Sequence, residues 1–250
     1  MTITPQTVLS DHTVLAEPPP CPDPCGPDGV LLIDADRWAT AQRYEATCWL
    51  EKYRNAQDDR EREHAQRFDG YRMLAGRSFR AAIELGCGPF TQVRRMLRGS
   101  MECNSLTLVD PLIDRYTELP HCTYDWLSRG RRLHRIASAL EDLAIPAEGF
   151  DLVVSINVLE HCRDYVACVD NIRSLAAKGA TMVISEPAVR RADIVEACAK
   201  VWDAGHPLRV ADDRLQRDLE AMGTVVYKRV LDGLYWTPWR RDFYYILEAK

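Results

Sequence analysis

No run of apolar residues in this 250-residue chain approaches the ~18 needed to cross a bilayer, so no membrane-spanning helix is expected. Its first residues, MTITPQTVLSDH, offer neither a basic stretch nor a continuous apolar one, and no secretory leader is expected either. C-x-x-C pairs are lacking too: the nine cysteines, an odd number, are scattered at positions 21, 25, 48, 87, 103, 122, 162, 168 and 198. That argues against a disulfide framework and for thiols acting as small buried hydrophobes in a reducing compartment. The C-x-x-x-C of Cys21 and Cys25 has no second ligand pair to complete a zinc site. Nor is there an excess of positive charge. The 32 Lys and Arg against 37 Asp and Glu leave −5, so no global field draws the chain to DNA or to an anionic membrane. The expectation is a cytoplasmic protein whose partner is a small molecule or a peptide, with homo-oligomerisation left open.

The chain does have an ordinary globular composition, 46% hydrophobic and 28% charged, enough for one sizeable core. Residues 1–29 include six prolines between Pro18 and Pro27, which forbid helix and central strand and mark a flexible tail. Residues 30–79, rich in Ala, Arg, Glu and Gln, read as an N-terminal helical cap of two or three helices. The stretch NAQDDREREHAQR within it has no large apolar residue and reads as a solvated face or connector.

From Arg80 to the end, short β-branched runs alternate with amphipathic stretches, the pattern of a βαβ sheet. Seven strands are predicted, at 81–85, 105–109, 132–136, 150–156, 180–185, 224–230 and 243–249, the last two forming an antiparallel pair. Val166, Val169, Ile172 and Leu175 recur at helical spacing, with Lys178-Gly179 as a stop. An insert at about 188–222 holds two further helices, one around Ile194–Trp202 and one with Leu215, Leu219 and Met222 led by Asp212 and Asp213 as caps. The fold class is therefore α/β: a Rossmann-like, mostly parallel seven-stranded sheet with its last strand antiparallel and helices on both faces.

The strongest local signal is Ile83-Glu84-Leu85-Gly86-Cys87-Gly88-Pro89-Phe90, a strand running into two glycines and then a helix-like TQVRRMLR. Gly86 and Gly88 allow a tight turn and a close ligand. The third small residue of a dinucleotide fingerprint is absent, its place held by Phe90, and Glu84 would repel a pyrophosphate but suits a positively charged ligand. Asp110, ending the second strand, is placed to accept both hydroxyls of a ribose, or to cap the segment that follows. A third signal combines the loop after strand three with a fourth strand ending at Asn157. Both face the same sheet edge.

On these residues the chain resembles the class I S-adenosylmethionine-dependent methyltransferases over about residues 80–187. The resemblance implies that the Glu84, Gly86, Cys87, Gly88 turn holds the methionine part of S-adenosylmethionine. It implies that Asp110 and Pro111 border the ribose and that Ala139 and Leu140 lie in the adenine loop. Asp151-Leu152-Val153-Val154 through Val158-Leu159-Glu160-His161 matches the motif after strand four and places Asn157 and Val158 at the cofactor. Glu186-Pro187 matches the turn after strand five. The chain departs from the pattern at Phe90 and at Ser138 or Ala139, where an acid is common.

The implied reaction is methyl transfer in line with the S–CH₃ bond, most naturally to O or N, with His161 as an optional base. Tyr71, Trp202 and His206 are candidate acceptor contacts, although aromatic residues of this kind more often pack. No N/D-P-P-Y/F motif of base-modifying DNA enzymes follows strand four, and no carboxylate pair for a metal can be assembled. A non-catalytic cofactor-binding protein of the same fold is the alternative, and Glu84 and Phe90 oppose a nicotinamide-dependent oxidoreductase.

Overall fold

A computed structural model of the chain describes residues 28–31, 33–57, 69–147, 149–194, 205–233 and 239–250. Most of the proline-rich tail, Cys21, Cys25, Trp202 and the expected helix of residues 194–202 lie outside the described residues, Ile194 excepted. Helix α1 (Ala35–Thr47) begins where the Asp34 side chain accepts from Arg37 N at 2.7 Å, an N-cap that the charge-rich stretch needs because its own apolar face is weak. A wide turn at Cys48–Lys52 continues it.

Seven strands form one sheet: β1 (Ser78–Leu85), β2 (Glu102–Val109), β3 (Arg132–Ile136), β4 (Phe150–Ile156), β5 (Ala176–Val189), β6 (Gly223–Asp232) and β7 (Arg240–Ala249). Their order is β3-β2-β1-β4-β5-β7-β6. The first five run parallel, and β7 pairs antiparallel with both β5 and β6, which confirms the expected topology with the last strand reversed. The chain moves outward from β1 to β3 and then crosses to β4 on the other side of β1. A ligand crevice lies at such a switch point, outside the carboxyl ends of the strands.

Alternation along each strand feeds two cores. Ile83, Leu85, Val153, Ile184, Phe243 and Tyr245 face one side, where α5 (Tyr165–Leu175) and α6 (Asp212–Met222) cover them. Ala82, Leu152, Val154, Val183 and Tyr244 face the other, under α2 (Val93–Arg98), α3 (Ile113–Tyr116) and α4 (Tyr124–Leu127). Because both faces are covered, the central strands read as continuous apolar runs.

Two expectations are corrected. Helix α5 ends at Leu175 rather than at Lys178-Gly179, and Gly179 adopts φ +74° inside β5, beside the register shift between Phe150 and Leu152. The N-cap of α6 is Ala211, which makes no side-chain cap. Asp212 instead accepts from Arg191 N and pairs with Arg241, and Asp213 pairs with Arg191. Asp212 Oδ1 also accepts from Asp213 N at 2.9 Å, but both aspartates lie inside the first turn rather than at the N-cap position. Leu219 of α6 is fully buried. Leu219→Ala is expected to cost about 2–5 kcal/mol of stability by chemical denaturation, with the folded spectrum retained.

Candidate active site at the switch point

Three buried carboxylates hold the loop backbones at the carboxyl edge of the sheet. Glu84, 2% exposed, accepts from Gln92 N at 2.5 Å and Val93 N at 3.0 Å, so its charge sits on the N-terminus of α2. Asp110 accepts from Gly88 N at 3.0 Å and Leu112 N at 2.9 Å, joining the turn after β1 to the turn after β2. Glu186 accepts from Ser155 Oγ at 2.8 Å, Val158 N at 2.9 Å and Leu159 N at 3.0 Å, joining β5 to the turn after β4. Sequence reasoning put Glu186 only in a matching motif; its full burial is what reveals this bracing role.

Gly86, at φ +58°, is the point of closest approach between β1 and the turn after β4: a Cβ there would stand 2.6 Å from Val158 Cγ2. Gly88, at φ +54°, completes the turn. The Cys87 side chain is fully buried, with Sγ 3.4 Å from Tyr124 Oη, so only its backbone faces the crevice edge. Pro111 is exposed and follows Asp110 directly. Leu140 is buried, and Asn171 Nδ2 of α5 donates to its carbonyl at 2.8 Å; Ala139, half-buried, precedes it. Asn157 is exposed, with φ +59°, and its backbone N–H donates to Ser185 O at 2.7 Å.

His161 ends a single turn, Leu159–His161, just past β4. Its Nδ1 lies 3.0 Å from Gly205 O, a pure acceptor, so the hydrogen-bond network assigns the proton of the neutral ring to Nδ1. Nε2 then keeps its lone pair and faces Asn157 Nδ2 at 3.4 Å. His206 stacks obliquely on His161 at 4.4 Å between centroids, and its Nε2 lies 3.6 Å from Glu160 Oε1. The segment carrying His206 is held in place by Leu208 N donating to Glu160 O and by the Val189–Ala211 bridge.

Helix α1 crosses the same turn. Gln42 Nε2 donates to His161 O at 3.3 Å, Glu45 Oε1 lies 3.7 Å from His161 Nδ1, and Arg163 stands over the Trp38 ring. Beyond α1, Trp49 meets Phe90 and Tyr116 edge-on, so the N-terminal segment covers the loops after β1 and β2. The bulky Phe90, in place of a third glycine, is the contact this cover uses. Tyr71 is buried in the second core, in the same cluster as Cys87, with Arg95 over its ring. Glu45, Gln42 and Arg240, whose guanidinium lies 3.6 Å from Glu160 Oε2, were missed because no local pattern distinguishes a helix or strand residue facing a site from one facing solvent.

The expectation of no metal rested on carboxylate pairs. The described residues do contain Glu45, His161 and His206 with one ligand atom each, all within 4.8 Å of one another. No helix among the described residues is long and apolar enough to cross a membrane.

Comparison with known proteins agrees with this geometry. A family model described as a methyltransferase domain matches residues 23–224. The chain belongs to that family and is a class I S-adenosylmethionine-dependent methyltransferase. No curated protein matches it in sequence. Among solved structures, the N-methyltransferase NodS of Bradyrhizobium japonicum WM9, in complex with S-adenosylhomocysteine, aligns with a TM-score of 0.57 and 17% identity over 85% of this chain and 98% of that one. The Burkholderia thailandensis 1,6-didemethyltoxoflavin-N1-methyltransferase, with its substrate and S-adenosylhomocysteine bound, gives 0.57 and 15% over 88% and 95%. The [4+2]-cyclase SpnF gives 0.59 and 14% over 82% and 78%. At such identities the likeness is one of fold.

The two buried glutamates of the site shift in opposite directions. Burial pushes Glu186 up to about 7 against its hydrogen bonds from Leu159, Ser155 and Val158. Burial would raise Glu160 as well, but His206, Arg240, His161 and Arg209 together outweigh it and hold the carboxyl at about 2. Glu160 therefore contributes stability above its unfolded value of 4.5 that is lost as pH falls through about 2. Glu186 contributes stability below 4.5 that is lost as pH rises through about 7. Thermal melts from pH 3 to 8 should show stability greatest near pH 4.5–5, with Glu186→Gln removing a decline of order 3 kcal/mol on the alkaline side. A variant whose decline matches the parent's would contradict this.

Proposed function

We propose that the crevice at the β1/β4 switch point binds S-adenosylmethionine and that the acceptor is a small molecule or a peptide that enters beside His161. The residues fit this cofactor. Asp110 accepts a backbone N–H on each carboxylate oxygen at the carboxyl end of β2, the place where a pair of vicinal hydroxyls would meet it. Glu84 and Asp110 add negative charge along this edge, which suits a sulfonium and opposes a pyrophosphate. Gly86 and Gly88 keep the turn low, and Ala139 with Leu140 borders the crevice from the loop after β3, which is tied to the segment after β4. The cofactor supplies an electrophilic methyl, so the protein's share of the work is alignment and exclusion of water.

Alignment falls to Asn157, held at left-handed φ by Ser185 O, and to Val158, pinned by Glu186. Water exclusion falls to α1 and Trp49 above the loops. His161 Nε2, basic in the assigned tautomer, takes the proton of a hydroxyl or ammonium acceptor in the metal-free protein. His206 borders the same place and is an acceptor contact. O- or N-methylation follows from such a base, since a carbon acid of ordinary acidity would need a stronger one. The observation that carries this reading is the joint placement of Gly86, Asp110 and Asn157 at one sheet edge within a chain of this family. That all three strand ends reach it follows from the parallel register.

Asp110→Ala is expected to lose roughly 1–3 kcal/mol of S-adenosylmethionine binding by calorimetry, about 5- to 150-fold in Kd. Release of S-adenosylhomocysteine in an acceptor screen identifies the enzyme. A folded protein that binds the cofactor and never forms this product with any acceptor would favour the non-catalytic alternative.

A further inference from the structure

The grouping of Glu45, His161 and His206 comes from three separate parts of the chain: α1, the turn after β4, and the segment leading to Val210. Gly205 makes room for it, since a Cβ there would stand 2.5 Å from Glu45 Oε1. All three side chains retain access to solvent, at 19% for Glu45, 23% for His161 and 22% for His206. Behind them lies Glu160, 9% exposed in its side chain, whose Oε1 is buried, makes no hydrogen bond and faces His206 Nε2 at 3.6 Å. A buried carboxylate oxygen without a hydrogen bond is costly. Around this centre three carboxylates, Glu45, Glu160 and Asp242, meet two guanidinium groups, Arg209 and Arg240.

We infer that Glu45, His161 and His206 form a site for one divalent first-row transition ion of the zinc class, with the Glu160 carboxylate behind His206 as its orienting partner. Two imidazoles and one carboxylate suit zinc, cobalt or iron(II), whereas magnesium and calcium prefer all-oxygen sets. A carboxylate behind a ligating imidazole is the usual means of fixing its ring. Three protein ligands leave an open position for an acceptor oxygen, nitrogen or sulfur. In the loaded protein His161 is a ligand, and an acceptor hydroxyl held by the ion sheds its proton to solvent. The ion site stands independently of the methyl-transfer reading; only this last consequence rests on it.

The test is metal uptake by tag-free protein. The protein is stripped with a chelator, given zinc chloride, desalted and assayed for bound metal, and a parallel sample is loaded with cobalt(II) for its visible spectrum. About one zinc per chain is expected, with tetrahedral or five-coordinate cobalt bands, no displacement by magnesium, and at least a tenfold weaker zinc Kd in His206→Ala and in Glu45→Gln. Glu45→Gln lies at the edge of α1 and keeps the test open should His206→Ala destabilise the fold, which melting curves report. Cys168→Ser alters the separate buried grouping of Glu141, Cys162 and Cys168 and should leave uptake unchanged. Zinc well below one per chain, or uptake that survives loss of His206 and Glu45, overturns the proposal. Whether the cofactor binds is read separately, so failure of one reading does not mask the other.

Discussion

Gly86 and Val158 touch across the gap between β1 and the turn after β4, and the shape of the crevice depends on that contact. The sheet opens at this point because its strand order reverses there, and the two loops on either side have no ladder to hold them. Three buried carboxylates do so instead. Glu84 fixes the start of α2, Asp110 joins the loops of β1 and β2, and Glu186 joins the loops of β4 and β5. Each satisfies two or more backbone or side-chain donors that would otherwise be stranded in a dry interior. The edge is thus preformed, and Glu84 and Asp110 give it the negative charge that suits a cationic cofactor.

Onto this edge the chain adds the parts that give the site its particular character. Helix α1 and the segment from Gly205 to Ala211 converge on the turn ending at His161, and Trp49 packs against Phe90 and Tyr116 in the loops after β1 and β2. Their contacts are polar and individually modest: an amide to a carbonyl, an imidazole to a carbonyl, a tilted ring pair. Such a rim adapts to different acceptors more readily than the braced edge beneath it. A [4+2]-cyclase has a similar fold, so the fold by itself does not define the reaction.

Much of the scaffold was legible in the sequence because it is buried on both faces. β4 was located to the residue because it is a buried apolar run bounded by turn signals, and β3, an edge strand with no buried residue, was located to the residue as well. β1 and β2 each begin three residues earlier than expected: Ser78, Arg80, Glu102 and Asn104 are exposed and alternate with buried Phe79 and Cys103, so these polar starts lay outside the apolar runs from which the strands were read. Gly86, Gly88 and Asp110 were legible because close backbone approach and strand-end carboxylates leave a local pattern. The partners of His161 were not. Glu45 lies 116 residues before it, and Gly205 and His206 lie 44 and 45 after it, so only the crossing of α1 and the return of the insert bring them together. The capping expectation at Asp212 and Asp213 failed because the helix begins at Asp212, with Ala211 as its N-cap, and both aspartates pair with arginines distant in sequence.

The central claim is that this braced, anionic edge is a cofactor site for a sulfonium nucleoside. Calorimetric titration of the purified protein with S-adenosylmethionine, S-adenosylhomocysteine and NAD addresses it most directly. The account predicts one site per chain with dissociation constants in the micromolar range for the first two and no heat of binding for NAD. A folded protein that binds neither sulfur nucleoside, or that binds NAD in their place, would contradict it.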